Sequence, residues 1–304
     1  MEIITDIDGV RTDKKRKSLI TLGKFDGVHV GHRMLFEYLR KEKKTEKIIA
    51  FTFDIRIRKA LDSGAEKSIY DRDEKQRLIE KQGVDILIEC PFTDEIRSME
   101  PETFVKEILV KRLNTCLIVI GDDFHFGYKR RGDAALLKKM SSECGYRFVS
   151  VDKLKDEGEE ISSTLIRELL IKGDIERANR LLGEPYHITG EVLKGKMLGR
   201  KIGFPTANQT IGEEKLTPPY GVYASTVLAD GKTYDSITNI GVDPTVGVIG
   251  GPVAESHIPG VSIDLYGKEI TVYLHKFLRP EKKFGSIDEL KKAMAKDIKN
   301  AGRI

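Results

Sequence analysis

The sequence predicts an N-terminal α/β domain built on a parallel sheet, followed by a small antiparallel β-barrel with a terminal helix. Three observations predict it. Apolar strand-like runs alternate with amphipathic helical segments as far as residue 180. From Tyr186 the segments become short and β-like, with frequent Gly and Pro and no intervening helix. The length, 304 residues, suits two domains of roughly 150 residues each.

Composition narrows the classes. Hydrophobic residues make up 39% and charged residues 33%, a globular balance with material for two cores. No run approaches the roughly 18 to 20 apolar residues of a membrane span, and Met1–Asp6 lacks the layout of a secretion signal. Cys90, Cys116 and Cys144 lie far apart, so reduced thiols and a cytoplasmic protein are expected. The net charge of +4 is evenly spread: from Gly183 onward 16 basic residues face 14 acidic ones, and the first part carries the same excess of two. That lacks the concentrated basic footprint of a nucleic-acid binder. Lys14–Lys17 and Lys41–Lys47 read as solvated faces.

In the first half, Leu19–Leu22 reads as a strand and Gly23–His32 as a glycine-punctuated turn carrying His29 and His32. Met34, Leu35, Tyr38 and Leu39 then have helical spacing, which places His32 in a first helical turn. Such a turn fits a phosphate site, with free N–H groups beside two imidazoles, or a simple solvated loop. Ile48–Phe53, Val84–Ile88, Cys116–Ile120 and Arg147–Val151 follow as strands. Asp71–Lys81, Pro101–Leu113 and Asp133–Met140 read as helices between them. Ligands of parallel sheets sit at the carboxyl ends of strands, where the loops after Leu22 and Ile120 fall. The second loop, Gly121–Arg130, holds Asp122, Asp123, Phe124 and Phe126. Its acids suit a ribose or a cation, and its aromatics either stack on a planar ring or plug the core. Ile161–Arg167 opens a helix with Ser162, Ser163 and Thr164, ordinary caps, yet Arg167 offers forked donors suited to phosphate.

Gly173–Gly183 is a short helix closed by glycine, with Pro185 beyond, so the domains divide as 1–183 and 184–304. Strands are expected over Tyr186–Leu193, Gly221–Leu228, Thr233–Asn239, Val261–Asp264 and Glu269–Leu274. The last helix starts at Ser286 with Glu289 in capping-box spacing. Its stripe of Leu290, Ala293, Met294 and Ile298 is expected to pack on the barrel, not to bind a ligand. Gly195, Gly199 and Gly203, interleaved with Lys196, Arg200 and Lys201, suit phosphates through backbone N–H groups. Pro205, Thr206 and Asn208 follow; Thr206 and Asn208 offer neutral oxygens suited to Mg²⁺ held with a nucleotide.

These motifs carry a resemblance. His29-Val30-Gly31-His32 matches the His-x-Gly-His signature of the nucleotidylyltransferase superfamily. Together Gly23–His32, Gly121–Gly127, Ile161–Arg167 and Gly199–Asn208 resemble the bifunctional bacterial riboflavin kinase/FAD synthetase family, across nearly the whole chain. The resemblance implies a Rossmann-like nucleotidylyltransferase domain that adenylylates FMN with ATP, and a kinase barrel that phosphorylates riboflavin. It further implies small-molecule partners only (riboflavin, FMN and ATP), with Mg²⁺ as cofactor. By that likeness His29, His32 and Arg167 serve catalysis in the first domain, and Gly23, Phe25, Asp26, Gly31, Asp123, Ser162, Ser163 and Thr164 meet the nucleotide. In the second, Glu255 is the general base, Gly195, Gly199, Arg200, Gly203, Pro205, Thr206 and Asn208 meet ATP, and Thr206 and Asn208 meet the metal. Phe124, Phe126 and Asn239 are expected at the flavin.

Departures stand beside the likeness. The family's Pro-His-Pro element is absent after Phe53, Asp243 replaces an arginine, and Pro259-Gly260-Val261 replaces an apolar-Asp-aromatic run. A protein active in one half only, or a flavin or nucleotide sensor that binds without turnover, are the rival expectations. Lys139-Met140-Ser141-Ser142 superficially echoes the lysine loop of class I aminoacyl-tRNA synthetases and is read as a decoy.

Overall fold

The computed structural model describes residues 1–7, 10, 16–54, 67–194, 203–242, 251–261 and 263–302. Gly195, Gly199, Arg200, Asp243 and the altered stretch 55–58 lie outside the described residues. By packing, the chain divides into two compact units: Met1–Glu66 with Arg72–Ile161, and Lys67–Asp71 with Ser162–Ile304.

The first unit is a six-stranded parallel sheet of β1 (Glu2–Ile4), β2 (Ser18–Leu22), β3 (Lys47–Asp54), β4 (Ile86–Pro91), β5 (Thr115–Gly121) and β6 (Arg147–Val151). Its order is β1-β4-β3-β2-β5-β6. All five residues of β2 are buried, as a parallel strand covered on both faces requires. The chain passes from β2 to β3 on one side and later returns to β5 on the other, so the topology reverses between β2 and β5. Loops at that switch point form the natural ligand crevice.

Helix α1 (Val30–Glu42) buries Leu35, Phe36 and Leu39, and α2 (Arg72–Lys81) buries Leu78 and Ile79. Two short helices, α3 (Asp94–Ser98) and α4 (Pro101–Thr103), lead into a π-helical stretch over Phe104–Arg112, where the Leu113 amide donates back five residues to Ile108. Helix α5 (Ala134–Cys144) is capped by Asp133 and extends past Met140, so Lys139–Ser142 is helix and not a loop.

The second unit opens with α6 (Ser163–Lys172) and α7 (Ile175–Leu182). After a two-stranded ribbon, β7 (Lys155–Asp156) and β8 (Glu159–Glu160), in the first unit, strand numbering resumes with β9 (His187–Glu191) and β10 (Thr206–Thr210). Then come β11 (Gly221–Ala229), β12 (Lys232–Val242), β13 (Pro252–His257), β14 (Glu269–Pro280) and the terminal α8 (Ile287–Ala301). The antiparallel order is β10-β13-β12-β11-β14-β9. Leu193 N–H donates to the Asn208 carbonyl at 2.8 Å, joining the two sheet edges into a barrel.

One expectation needs correction. Among its described residues, Val261–Asp264 is not a strand. Pro259 lacks an N–H and Gly260 turns at φ 71°, so the chain leaves the ladder there. By packing, the main run of the second unit begins before residue 184, at Ser162. Helix α7 belongs with the barrel: it buries Ile175, Ala178, Leu181 and Leu182, while Asn179 Nδ2 donates to the Leu274 carbonyl at 2.8 Å.

Lys67–Asp71 belongs to the barrel unit as well. Ser68 N–H donates to Glu214 O, and Leu216 N–H to Ser68 O. Tyr70 stacks on Tyr186 and His187, with ring centroids at 5.4 and 4.5 Å. The Lys215 ammonium, on a residue only 1% exposed, lies 5.1 and 5.2 Å from the two tyrosine rings and donates to the His187 carbonyl at 2.6 Å. Ring faces and a carbonyl are what a desolvated cation needs. Replacing Lys215 by Met removes that hydrogen bond and both ring contacts, so K215M should lower unfolding stability by about 1–3 kcal/mol. Urea denaturation of the full chain measures this, and an unchanged midpoint would contradict the role given to the lysine.

Candidate active sites

At the parallel switch point, Gly23 ends β2 with its N–H on the Phe51 carbonyl at 3.1 Å. A Cβ on Gly23 would lie 2.9 Å from the Phe25 ring, so only glycine leaves that ring its place. Phe25, Gly27 and Val28 take φ of 50°, 79° and 41°. For a β-branched residue such as Val28 that is a true outlier, and strain of this kind concentrates at functional loops. Phe25 is wholly buried and meets His32 edge-on at 5.4 Å. The ring is thus a support beneath the imidazoles.

His29 precedes α1 and His32 sits in its first turn; the rings stack at 3.7 Å. Both Nδ1 atoms are buried and have no hydrogen-bond partner. A buried N–H without an acceptor is costly, which places each proton on Nε2 as a donor for an anion. Desolvation holds His29 down to about 4, offset in part by Asp123, and pushes His32 well below the ordinary range with help from His29 and Lys75. Both imidazoles are thus neutral near pH 7. Asp26 opens the turn that precedes them, and Gly31 lies between them on α1.

Across the crevice, Asp123 follows β5 and pairs with Lys153 at 3.0 Å, and Lys153 also holds Glu160 at 2.8 Å. Phe126 is 3% exposed and packs with Phe104 in the core. Phe124, stacked on Phe126 at 5.9 Å, keeps partial exposure. In the second unit, Ser162 is the N-cap of α6, accepting from Leu165 N–H at 3.2 Å. Ser163 and Arg167 are half-buried, and Thr164 is exposed.

In the barrel, register assembles the site. Asn208 lies opposite Glu255, and Glu255 opposite Asn239; Thr206 lies opposite His257. Directly opposed residues share a face, so these side chains form one surface. The His257 Nδ1–H donates to the Pro205 carbonyl at 2.9 Å, pinning the entry to β10. Gly203, at φ 86°, is exposed just before that entry.

Two cavities meet at Thr206. One, of about 260 Å³, is lined by Pro205, Thr206, Asn208, Ser256, Asp264 and Tyr266 among others. The other, of about 310 Å³, includes Glu255, Asn239, Arg279, Phe284, Leu290 and Met294. Helix α8 packs on strands of the barrel as expected, and its half-buried Leu290 and Met294 also line this cavity. Among its described residues only Asp297 is fully buried, gripped by Arg279 Nε and Nη2 at 2.7 to 3.1 Å, so the helix stands over the cavity without filling it.

Comparison with known proteins agrees with these two halves. Residues 11–165 match the FAD synthetase family and residues 182–304 the riboflavin kinase family. The bifunctional riboflavin kinase/FMN adenylyltransferase of Escherichia coli strain K12 is 36% identical over 98% of this chain and 96% of its own. The chain belongs to the riboflavin kinase/FMN adenylyltransferase family. Relatives in that family from Pseudomonas fluorescens and Haemophilus influenzae are 33% and 34% identical, over 98% and 93% of this chain and 96% and 92% of their own. A crystal structure from Streptococcus pneumoniae, described as a macrolide-efflux protein, has the same fold: TM-score 0.87 and 29% identity over 99% of this chain and 98% of that one. Among the described residues here, no helix is long and apolar enough to cross a membrane.

Residues that sequence reasoning passed over are Lys75, Glu281 and Asp297. None sits in a glycine- or histidine-marked motif, and each reaches its site only through tertiary packing.

The buried imidazoles give a pH prediction. Their folded pKa values lie below the unfolded value of 6.5, so the unfolded chain binds more protons as pH falls from about 6.5 toward 4, and stability drops over that window. Substituting both, H29N/H32N, should flatten the fall. Thermal melting from pH 7.5 to 5 measures it, and an equal slope in wild type and variant would contradict burial of the neutral rings.

Proposed function

We infer that the protein makes FAD from riboflavin in two ATP-dependent steps, the barrel phosphorylating riboflavin and the parallel-sheet unit adenylylating the resulting FMN. The observation that carries the first step is the pair of cavities joined at Thr206 beside the Asn208–Glu255 pair. We assign the polar cavity to ATP and the one under α8 to the vitamin, whose flat apolar ring suits Val222, Ile237, Phe284, Leu290 and Met294. Glu255 takes the proton from the riboflavin 5′-hydroxyl. The oxygen attacks the γ-phosphorus in line, the bond to the β-phosphate oxygen breaks, and ADP leaves.

Mg²⁺ fits the donors present. Asn208 Oδ1 is buried without a hydrogen-bond partner, and the Thr206 hydroxyl lies on the same face. Neutral hard oxygens of this kind complement a cation held largely by nucleotide phosphates. When bound, the ion neutralises developing phosphate charge, and Thr206 and Asn208 are the residues that would hold it.

For the second step, an FMN phosphate oxygen attacks the α-phosphorus of ATP and pyrophosphate leaves, with no protein nucleophile. His29 and His32 serve as neutral Nε2 donors to phosphate oxygens. Gly23, Asp26, Gly31 and Asp123 are the nucleotide-side candidates. Ser163, Thr164 and Arg167 are assigned to the triphosphate from the motif they occupy. The partners are riboflavin, FMN and ATP, and separate thiols at Cys90, Cys116 and Cys144 suit a cytoplasmic enzyme.

Single-site variants separate the halves. E255Q should reduce FMN formation by at least about 10²-fold while FMN supplied directly still becomes FAD. H29A/H32A should do the reverse. Chromatographic rates with each substrate measure both, and loss of both activities in a folded E255Q protein would overturn the assignment.

A further inference from the structure

Glu281 belongs to no catalytic assignment above, yet it lies in the cavity given to riboflavin. Its Oε1 accepts from Asn239 Nδ2 at 3.1 Å. Asn239 in turn stands directly opposite Glu255 in the β12–β13 register. A carboxylate only accepts hydrogen bonds, whereas an amide has one donating and one accepting end. Binding the NH₂ end of Asn239 therefore leaves Oδ1 as the end available to a ligand. Opposed residues have Cβ atoms about 4.5–5.5 Å apart, so that oxygen is a neighbour of the base. A polyhydroxylated chain whose terminal hydroxyl meets Glu255 brings its next hydroxyls, all donors, to this position.

We propose that Glu281 is a positioning residue that orients the Asn239 amide so that its Oδ1 registers the ribityl hydroxyls against Glu255. The proposal rests on the cavity under α8 being the riboflavin site. A second observation ties it to sequence. Asn239 and Gly241 are two apart and face the same side of β12, and a Cβ on Gly241 would lie 2.1 Å from Glu281 Oε1. Glycine at 241 is what lets the carboxylate lie against the strand. Because that clash involves the far end of a flexible side chain, alanine there moves the carboxylate without removing it.

Three variants, E281A, E281Q and G241A, test the proposal in the full chain by initial rates with riboflavin and ATP varied separately. E281A should raise KM for riboflavin by about 3- to 10-fold, the scale of one hydrogen bond, with kcat within about twofold by the same reasoning. KM for ATP and FMN adenylylation should stay as in wild type. E281Q keeps an accepting oxygen and should recover most of the loss, whereas G241A should reproduce E281A although the carboxylate is still present. An unchanged riboflavin KM in E281A overturns the proposal, as does an equal rise in KM for ATP or a G241A protein that behaves as wild type. If the wild type itself leaves riboflavin unphosphorylated, the cavity assignment fails and the proposal with it; normal wild-type turnover with indifferent variants removes only the role of Glu281.

Discussion

The register of the antiparallel barrel is the constraint on which the kinase half depends. Pairing carries one row of side chains across five strands: Asn208, Glu255, Asn239, Val222 and Arg279. A slip of one residue would turn Glu255 to the other face. That other face resists the slip. Buried hydroxyls of Ser236, Ser225, Thr238 and Ser256 join one another at 2.7 to 2.8 Å, and any shift would leave them unsatisfied without water to replace the bonds. The polar row on one face thus fixes the row of Asn208, Glu255 and Asn239 on the other. Arg279, at the end of the row, then fixes α8 through Asp297, which keeps a cavity open beneath the helix.

The parallel-sheet unit solves a different problem. Two imidazoles stacked as closely as His29 and His32 could not both carry charge without strong repulsion. Burial avoids this by holding both neutral. Phe25 seals them from below, and the left-handed conformations at Phe25, Gly27 and Val28 tighten the turn that carries them. The turn follows a strand that is buried along its whole length.

Much of this was legible in the sequence where chemistry depends on local spacing. His29 and His32, three apart at a strand–helix junction, could be placed without tertiary information, as could the alternation of strands and helices. Strand β10 was invisible because Thr206–Thr210 is polar, with buried Asn208 and Gln209 where apolar residues usually stand. The Val261–Asp264 stretch erred in the opposite sense, being apolar enough for a strand but released by Pro259 and Gly260. Phe126 and Phe124 were equivalent in sequence, and only packing against Phe104 separates core from rim. Contacts distant along the chain, such as Tyr70 on Tyr186 and His187 with buried Lys215, have no local signature at all.

The central claim is that both halves act in sequence on one vitamin. Its most direct test is a chromatographic time course of the purified protein with riboflavin, ATP and Mg²⁺. The account predicts that FMN rises first and FAD follows at its expense. Riboflavin left untouched, or FMN that accumulates and never becomes FAD, would contradict it.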